Sequence, residues 1–262
     1  MSNRLLATLG FSRHAHLWIL RLLFIDSILC GTKPGGALPG ECFYFLRSRL
    51  ARLGITAHLW GILPAGILAG VQFVPAVHRP PLLRVHRAIG YASLVLALVG
   101  SLATLPIIRN AFGGDLAAQS ATGLMLLLFP VAQIAGYVNI WRGNVYRHRH
   151  WMLRSWFYAG AVISMRILMA LAALAISLIG GYYLAMPCDK INSILRSREE
   201  TLRWYPECSP YFTGGDIARK VVVGADVFAP NVVPLVAAWN LSYGMSLWFA
   251  LVCHVAGVEI YV

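Results

Sequence analysis

The stretch WMLRSWFYAGAVISMRILMALAALAISLIGGYYLAM, Trp151 to Met186, decides the fold. After Arg154 it carries one charged residue, Arg166, and a helix that crosses the hydrocarbon core needs only about 20 predominantly apolar residues. At about 1.5 Å per residue the run is longer than a bilayer is thick, so it is expected to tilt or to break at Gly180-Gly181, with Pro187 ending it. A soluble domain could not keep such a stretch in water.

Working outward, three further runs of spanning length precede it: Ile55 to Val77, Ala88 to Ile108, and Ala117 to Trp141 with Pro130 as a kink site. A fifth runs from Val232 to Val258, after a polar connector that begins at Pro187 and holds most of the chain's acidic residues. The N-terminal run His16 to Gly31 is barely long enough to cross and is interrupted by Arg21 and Asp26, so it either spans or lies in the interface. The expected fold is therefore all-α, a polytopic transmembrane bundle of five or six helices. Its parts are an N-terminal segment (1–54), a four-helix core (55–186), a polar external connector (187–231) and a C-terminal helix (232–262).

Composition agrees with this reading. Of the 262 residues 58% are hydrophobic and only 12% charged, which is outside the range of ordinary soluble domains. The net charge of +12 raises nucleic acid as a partner, but Arg gathers in short connectors beside Trp and Tyr, the pattern of a membrane surface. The expected partner is the lipid bilayer, not nucleic acid, and the expected location is a membrane.

Orientation follows from the connectors. Arg79, Arg84 and Arg87 lie in one, and Arg142, Arg147, Arg149 and Arg154 in another, which places both in the cytoplasm. Cys30, Cys42, Cys188 and Cys208 then fall on the external side, where Cys30 could pair with Cys42 and Cys188 with Cys208, or all could stay as thiols. No Walker loop, dinucleotide-binding glycine pattern, nucleophile elbow, paired carboxylates or internal repeat is present.

Histidine and arginine carry what chemistry the sequence offers. The basic entries Arg84-Val85-His86-Arg87 and Tyr146-Arg147-His148-Arg149-His150-Trp151 open two helices from the same side, and both can be read as headgroup anchors. Alternatively His86 and His150 form an axial pair for one b-type haem. A second haem would need another pair near His58, and none is offered. No metal site is expected, because residues two apart on a helix, as in His148-x-His150, point to different sides. Arg166, 12 positions beyond Arg154, lies about 18 Å deeper, near mid-bilayer. An arginine there costs roughly 2.5–3.5 kcal/mol on insertion scales and so seeks a partner, for which Asp26 is the candidate; helix carbonyls, Ser164 and tyrosine hydroxyls are the alternative. Gly61, Pro64, Gly66 and Gly70 are expected to allow close helix packing, with Gly66-x-x-x-Gly70 as the contact motif.

Several of these residues carry a resemblance: His58, His86-Arg87-x-x-Gly90, Gly113-Gly114, His150-Trp151-Met152-x-Arg154-Ser155 and Arg166. From His58 to about Leu168 the chain resembles a family of predicted multipass membrane proteins, domain of unknown function twenty-three-oh-six. The resemblance implies a helical membrane fold, selects His58, His86, Arg87, His150, Arg154 and Arg166, and supplies no reaction. In fungal-type relatives it implies an accessory role in small-molecule, secondary-metabolite biosynthesis and a hydrophobic substrate. Three functions follow as expectations: an accessory membrane component of such a pathway, a single-haem redox protein, or a membrane enzyme or carrier for an amphipathic molecule.

Overall fold

The structure, a computed structural model, describes residues 40–262. The candidate span His16 to Gly31, with Asp26 and Cys30, lies outside the described residues. Among the described residues five helices are long and apolar enough to cross a membrane. A short helix α1 (Cys42–Arg47) leads into α2 (Arg49–Gln72), α3 (Leu83–Leu102), α4 (Leu116–Trp141) and α5 (Val145–Ile179). Strand β1 (Tyr183–Pro187), helices α6 (Cys188–Leu195), α7 (Arg198–Trp204) and α8 (Ser209–Phe212), and strand β2 (Lys220–Gly224) follow, and α9 (Val232–Tyr261) closes the chain.

Helix ends follow local chemistry. Asp115 and Asn144 accept hydrogen bonds from the backbone N–H groups of Ala118 and Arg147, capping α4 and α5. At its far end α5 stops at Gly180 and Gly181, whose φ of +73° and +80° suit glycine, and the apolar remainder to Met186 becomes strand rather than helix. The break expected at this pair is thus where the helix ends. The basic entries lie inside helices: α3 begins at Leu83, before His86, not at Ala88.

Helix α9 is the centre of the bundle, with 44% of its most apolar stretch buried against 17–28% in the other four. It packs on α4 and α5 through Ala118, Ala121, Ala161, Met165, Met169, Leu247, Ala250 and Leu251. In lipid the hydrophobic effect gives no drive between helices, so the alanines matter by letting the backbones approach. Helices α2 and α3 form a second close pair. A Cβ on Gly61 would sit 2.7 Å from the Gly100 Cα, and one on Gly100 would sit 2.9 Å from the Ile62 nitrogen. The contact expected at Gly66 and Gly70 is corrected here, since a Cβ on either would meet nothing within 4 Å. The packed stripe is Gly61, Ala65 and Ala69, offset from the glycine pair by one residue, about 100° around the helix.

The connector folds into a cap. Strands β1 and β2 pair antiparallel, Tyr183 opposite Gly224 and Pro187 opposite Lys220, and the Cys188–Cys208 disulfide joins α6 to the turn before α8. Met186, Ile191, Val221, Val223 and Val233 bury together beneath it. Each such side chain is worth roughly 1.5–3 kcal/mol when withdrawn from water. Helix α1 joins this end through an Arg47–Asp189 ion pair of 2.7 Å. The opposite, basic end holds the turn at Pro75–His78, the link between α4 and α5, and the end of α9, where Arg154 makes two hydrogen bonds to Glu259, of 2.6 and 2.7 Å.

Candidate functional site

Just inside the cap, side chains from five segments converge on Phe112. The turn Ile108–Gly113 holds Phe112 at φ +49°, and Gly113 and Gly114 follow at +99° and +73°. A Cβ on Gly114 would collide with the Arg109 carbonyl oxygen, so the second glycine is sterically required. This double-glycine bend drives the Phe112 ring inward, where it stacks on Tyr243 of α9 at 4.2 Å and 12°. A Cβ on Gly244 would lie 2.7 Å from the Ala118 nitrogen and 2.8 Å from Asp115 Oδ2, so the start of α4 is seated directly against α9.

Arg166 reaches this ring from α5. Its guanidinium lies 5.0 Å above the Phe112 centroid, and Glu41, just before α1, is 3.8 Å away. That separation is at the long limit for an ion pair, and half of the Arg166 side chain remains exposed. A half-exposed cation over an aromatic face gains about 0.5–1 kcal/mol, a small part of the cost of placing arginine in a spanning helix. The sequence-predicted partner Asp26 lies outside the described residues; within them Glu41 is the carboxylate that Arg166 faces.

On the other side of Phe112 the Asn240 amide, oriented to satisfy both neighbours, donates to the Phe112 carbonyl at 3.1 Å and accepts from Lys190 Nζ at 2.8 Å. Lys190 is 3% exposed and its ammonium lies 5.3 Å from the Tyr44 ring centroid. Burial pushes its pKa down from 10.5 to about 8. Burial and the nearby Asp189 carboxylate hold the Tyr44 hydroxyl above its usual range. Two cations, aromatic faces and an amide are thus assembled at the cap end of the bundle.

The histidines fall elsewhere. The His78 and His86 rings meet edge to face at 4.7 Å, and Gln72 donates to the His86 carbonyl at 3.0 Å. His86 Nδ1 is buried with no hydrogen-bond partner. His148 donates through Nδ1 to the Gly136 carbonyl at 2.8 Å, while the His150 ring lies 4.1 Å from Tyr146. Arg87 is exposed on α3. His58 donates to the Gly100 carbonyl at 2.9 Å, in the α2–α3 crossing. His254 donates through Nδ1 to the Phe157 carbonyl at 2.7 Å, which leaves Nε2 to accept from Ser164 at 2.7 Å. Among the described residues no three His, Cys, Asp or Glu side chains are grouped to hold a metal ion.

Sequence reasoning reached Arg166 and the double glycine but missed Phe112, Tyr243, Glu41 and Lys190. Lys190 had one signal, its place two residues after Cys188 in an acidic helix start; the rest depend on tertiary contacts. Residues 56–186 match a family described as predicted membrane protein, DUF2306. No curated protein and no solved structure matches the chain.

Proposed function

The chain belongs to the predicted membrane protein family DUF2306, and on that premise we propose that this multipass protein binds the anionic end of an amphipathic small molecule at Arg166. One observation carries the reading. Arg166 sits in a spanning helix, half exposed, over an aromatic face and with its facing carboxylate 3.8 Å away. A cation held this loosely can transfer its hydrogen bonds to a ligand carboxylate, sulfate or phosphate, which a guanidinium receives in bidentate fashion. Phe112 and Tyr243 offer the ligand's apolar portion a flat surface. Serving as an accessory component of a small-molecule pathway, as the resemblance implies, would supply a ligand of this kind.

The test uses full-length protein in maltoside micelles, with melting followed as long-chain carboxylates are added. A rise in Tm with the carboxylate, absent with the matching alcohol and lost in Arg166→Leu, is expected; equal shifts for acid and alcohol would overturn the reading. Metabolite profiles after gene deletion, complemented with wild type or Arg166→Leu, test the pathway role. The haem reading rests on the unpartnered Nδ1 of His86. A Soret band in haem-supplied protein, lost in His86→Ala and in His150→Ala, would favour it over anion binding.

A further inference from the structure

Where α5 ends, a cleft of about 350 Å³ opens between the helix terminus, the β1–β2 hairpin and the start of α9. It is open to the outside rather than enclosed. Ser177, Gly180, Tyr182, Tyr183, Ala225 and Asp226 are among its walls, and among the described residues Asp226 is the one charged residue lining it. The nearest basic residue of the hairpin, Lys220, is at the opposite end of β2, paired with Pro187.

The walls are fixed by hydrogen bonds. Ala225 N–H donates to the Tyr182 carbonyl at 2.8 Å, Asp226 N–H to the Pro234 carbonyl at 3.2 Å, and Val227 N–H to Ser177 Oγ at 3.0 Å. Asp226 Oδ1 accepts from the Phe228 N–H at 2.8 Å, which fixes the carboxylate in the cleft wall. The Tyr183 ring lies on Gly224, 3.9 Å from where a Cβ would be, and stays 65% exposed. Gly180 and Gly181 keep the rim free of side chains, since a Cβ on either would meet nothing within 4 Å.

We propose that this cleft binds an alkylated ammonium group, with Asp226 as counter-ion and Tyr182 and Tyr183 as aromatic walls. One fixed carboxylate beside π faces suits a cation that has bulk and no N–H to satisfy. A primary ammonium would need up to three acceptors, and the Tyr182 carbonyl is already engaged by Ala225. The cleft lies beyond the last turn of a spanning helix, so the cation comes either from a choline-type headgroup or from a free alkylammonium compound. This site is separate from Arg166, and either can fail without the other.

Saturation-transfer NMR of tetramethylammonium with full-length protein in maltoside micelles tests the site. Binding is expected, with at least tenfold weakening in Asp226→Asn, which keeps the acceptor for the Phe228 N–H, and in Tyr183→Ala, while Tyr183→Phe retains affinity. Equal saturation transfer to the neutral isostere 3,3-dimethylbutanol, or binding unchanged in Asp226→Asn, would overturn the proposal, as would no binding at all. Nanodiscs separate the sources. Tetramethylammonium excluded in phosphatidylcholine discs but bound in phosphatidylglycerol discs identifies the headgroup, and equal binding in both identifies a free ammonium compound.

Discussion

Replacing Lys190 by Met is expected to flatten a rise in stability that the wild-type protein shows on the alkaline side. The folded-state pKa is about 8 against 10.5 for the free side chain, and the cause is burial. Between those values the unfolded chain binds more protons than the folded one, so stability climbs as pH rises through the window; below pH 8 the cost of burying the ammonium is present in full. The shift corresponds to about 3 kcal/mol, of which about 2 kcal/mol is relieved by pH 9.5. Met fills a similar volume without charge. It also strands the Asn240 carbonyl, a cost of roughly 1–3 kcal/mol that does not depend on pH. The decisive quantity is therefore the change in the gap between the two proteins, not its value at one pH. Melting in maltoside at pH 7 and pH 9.5, in a Cys253→Ser background to prevent thiol exchange, should move that gap by roughly 4–8 °C in favour of wild type. Parallel profiles would refute the argument, because they would mean that water already reaches the ammonium.

Gly61→Leu is expected to cost at least about 2 kcal/mol or to stop accumulation of folded protein, whereas Gly70→Leu should stay within about 0.5 kcal/mol; melting of both variants in detergent checks the choice of stripe. Cys208→Ser opens a crosslink between residues 20 apart and should lower cap stability by about 3 kcal/mol, read as faster protease cleavage within 187–231. Glu259→Gln should cost less than about 1 kcal/mol, since Glu259 is half exposed, and the difference should vanish in high salt when Tm is measured at both ionic strengths.

The spans were readable because length and hydropathy are local properties of the chain. Their ends were less so. Helix α3 takes in Arg84, His86 and Arg87 because long basic side chains extend toward the interface from a helical backbone, so polarity does not mark its start. The α2–α3 contact shows another limit: Gly66 and Gly70 and the stripe Gly61, Ala65, Ala69 share a four-residue spacing, and only the partner helix selects between them. The cap was legible as polar and candidate disulfide sequence, but the Val221-Val222-Val223 run hides the alternation that buries Val221 and Val223 and exposes Val222. Arg166 stood out as a lone charge. Its neighbours did not, since Glu41, Phe112 and Tyr243 are 125, 54 and 77 positions away.

The connector arginines and the cap disulfide both bear on sidedness. At the cap end Arg47 faces Asp189, Arg166 faces Glu41 and Lys190 meets Asn240. At the basic end Arg154 holds Glu259, and Arg79, Arg84, Arg87, Arg142, Arg147 and Arg149 join no carboxylate among the described residues, as Arg196, Arg203 and Arg219 of the cap also do not. Arginines without protein partners are stabilised by the anionic phosphates of a cytoplasmic leaflet. A disulfide persists on the oxidising side, and Cys188–Cys208 is at the opposite end. With the basic end expected in the cytoplasm, as the arginine bias of the connectors predicts, the disulfide falls on the oxidising side. Single cysteines in the Cys253→Ser background test the assignment. Ile217→Cys, on a cap residue 73% exposed, should react with an impermeant maleimide in intact cells or sealed right-side-out vesicles, and Arg142→Cys only after permeabilisation. The reverse pattern would place the disulfide in a reducing compartment and turn the Arg166 site and the aromatic cleft toward the cytoplasm.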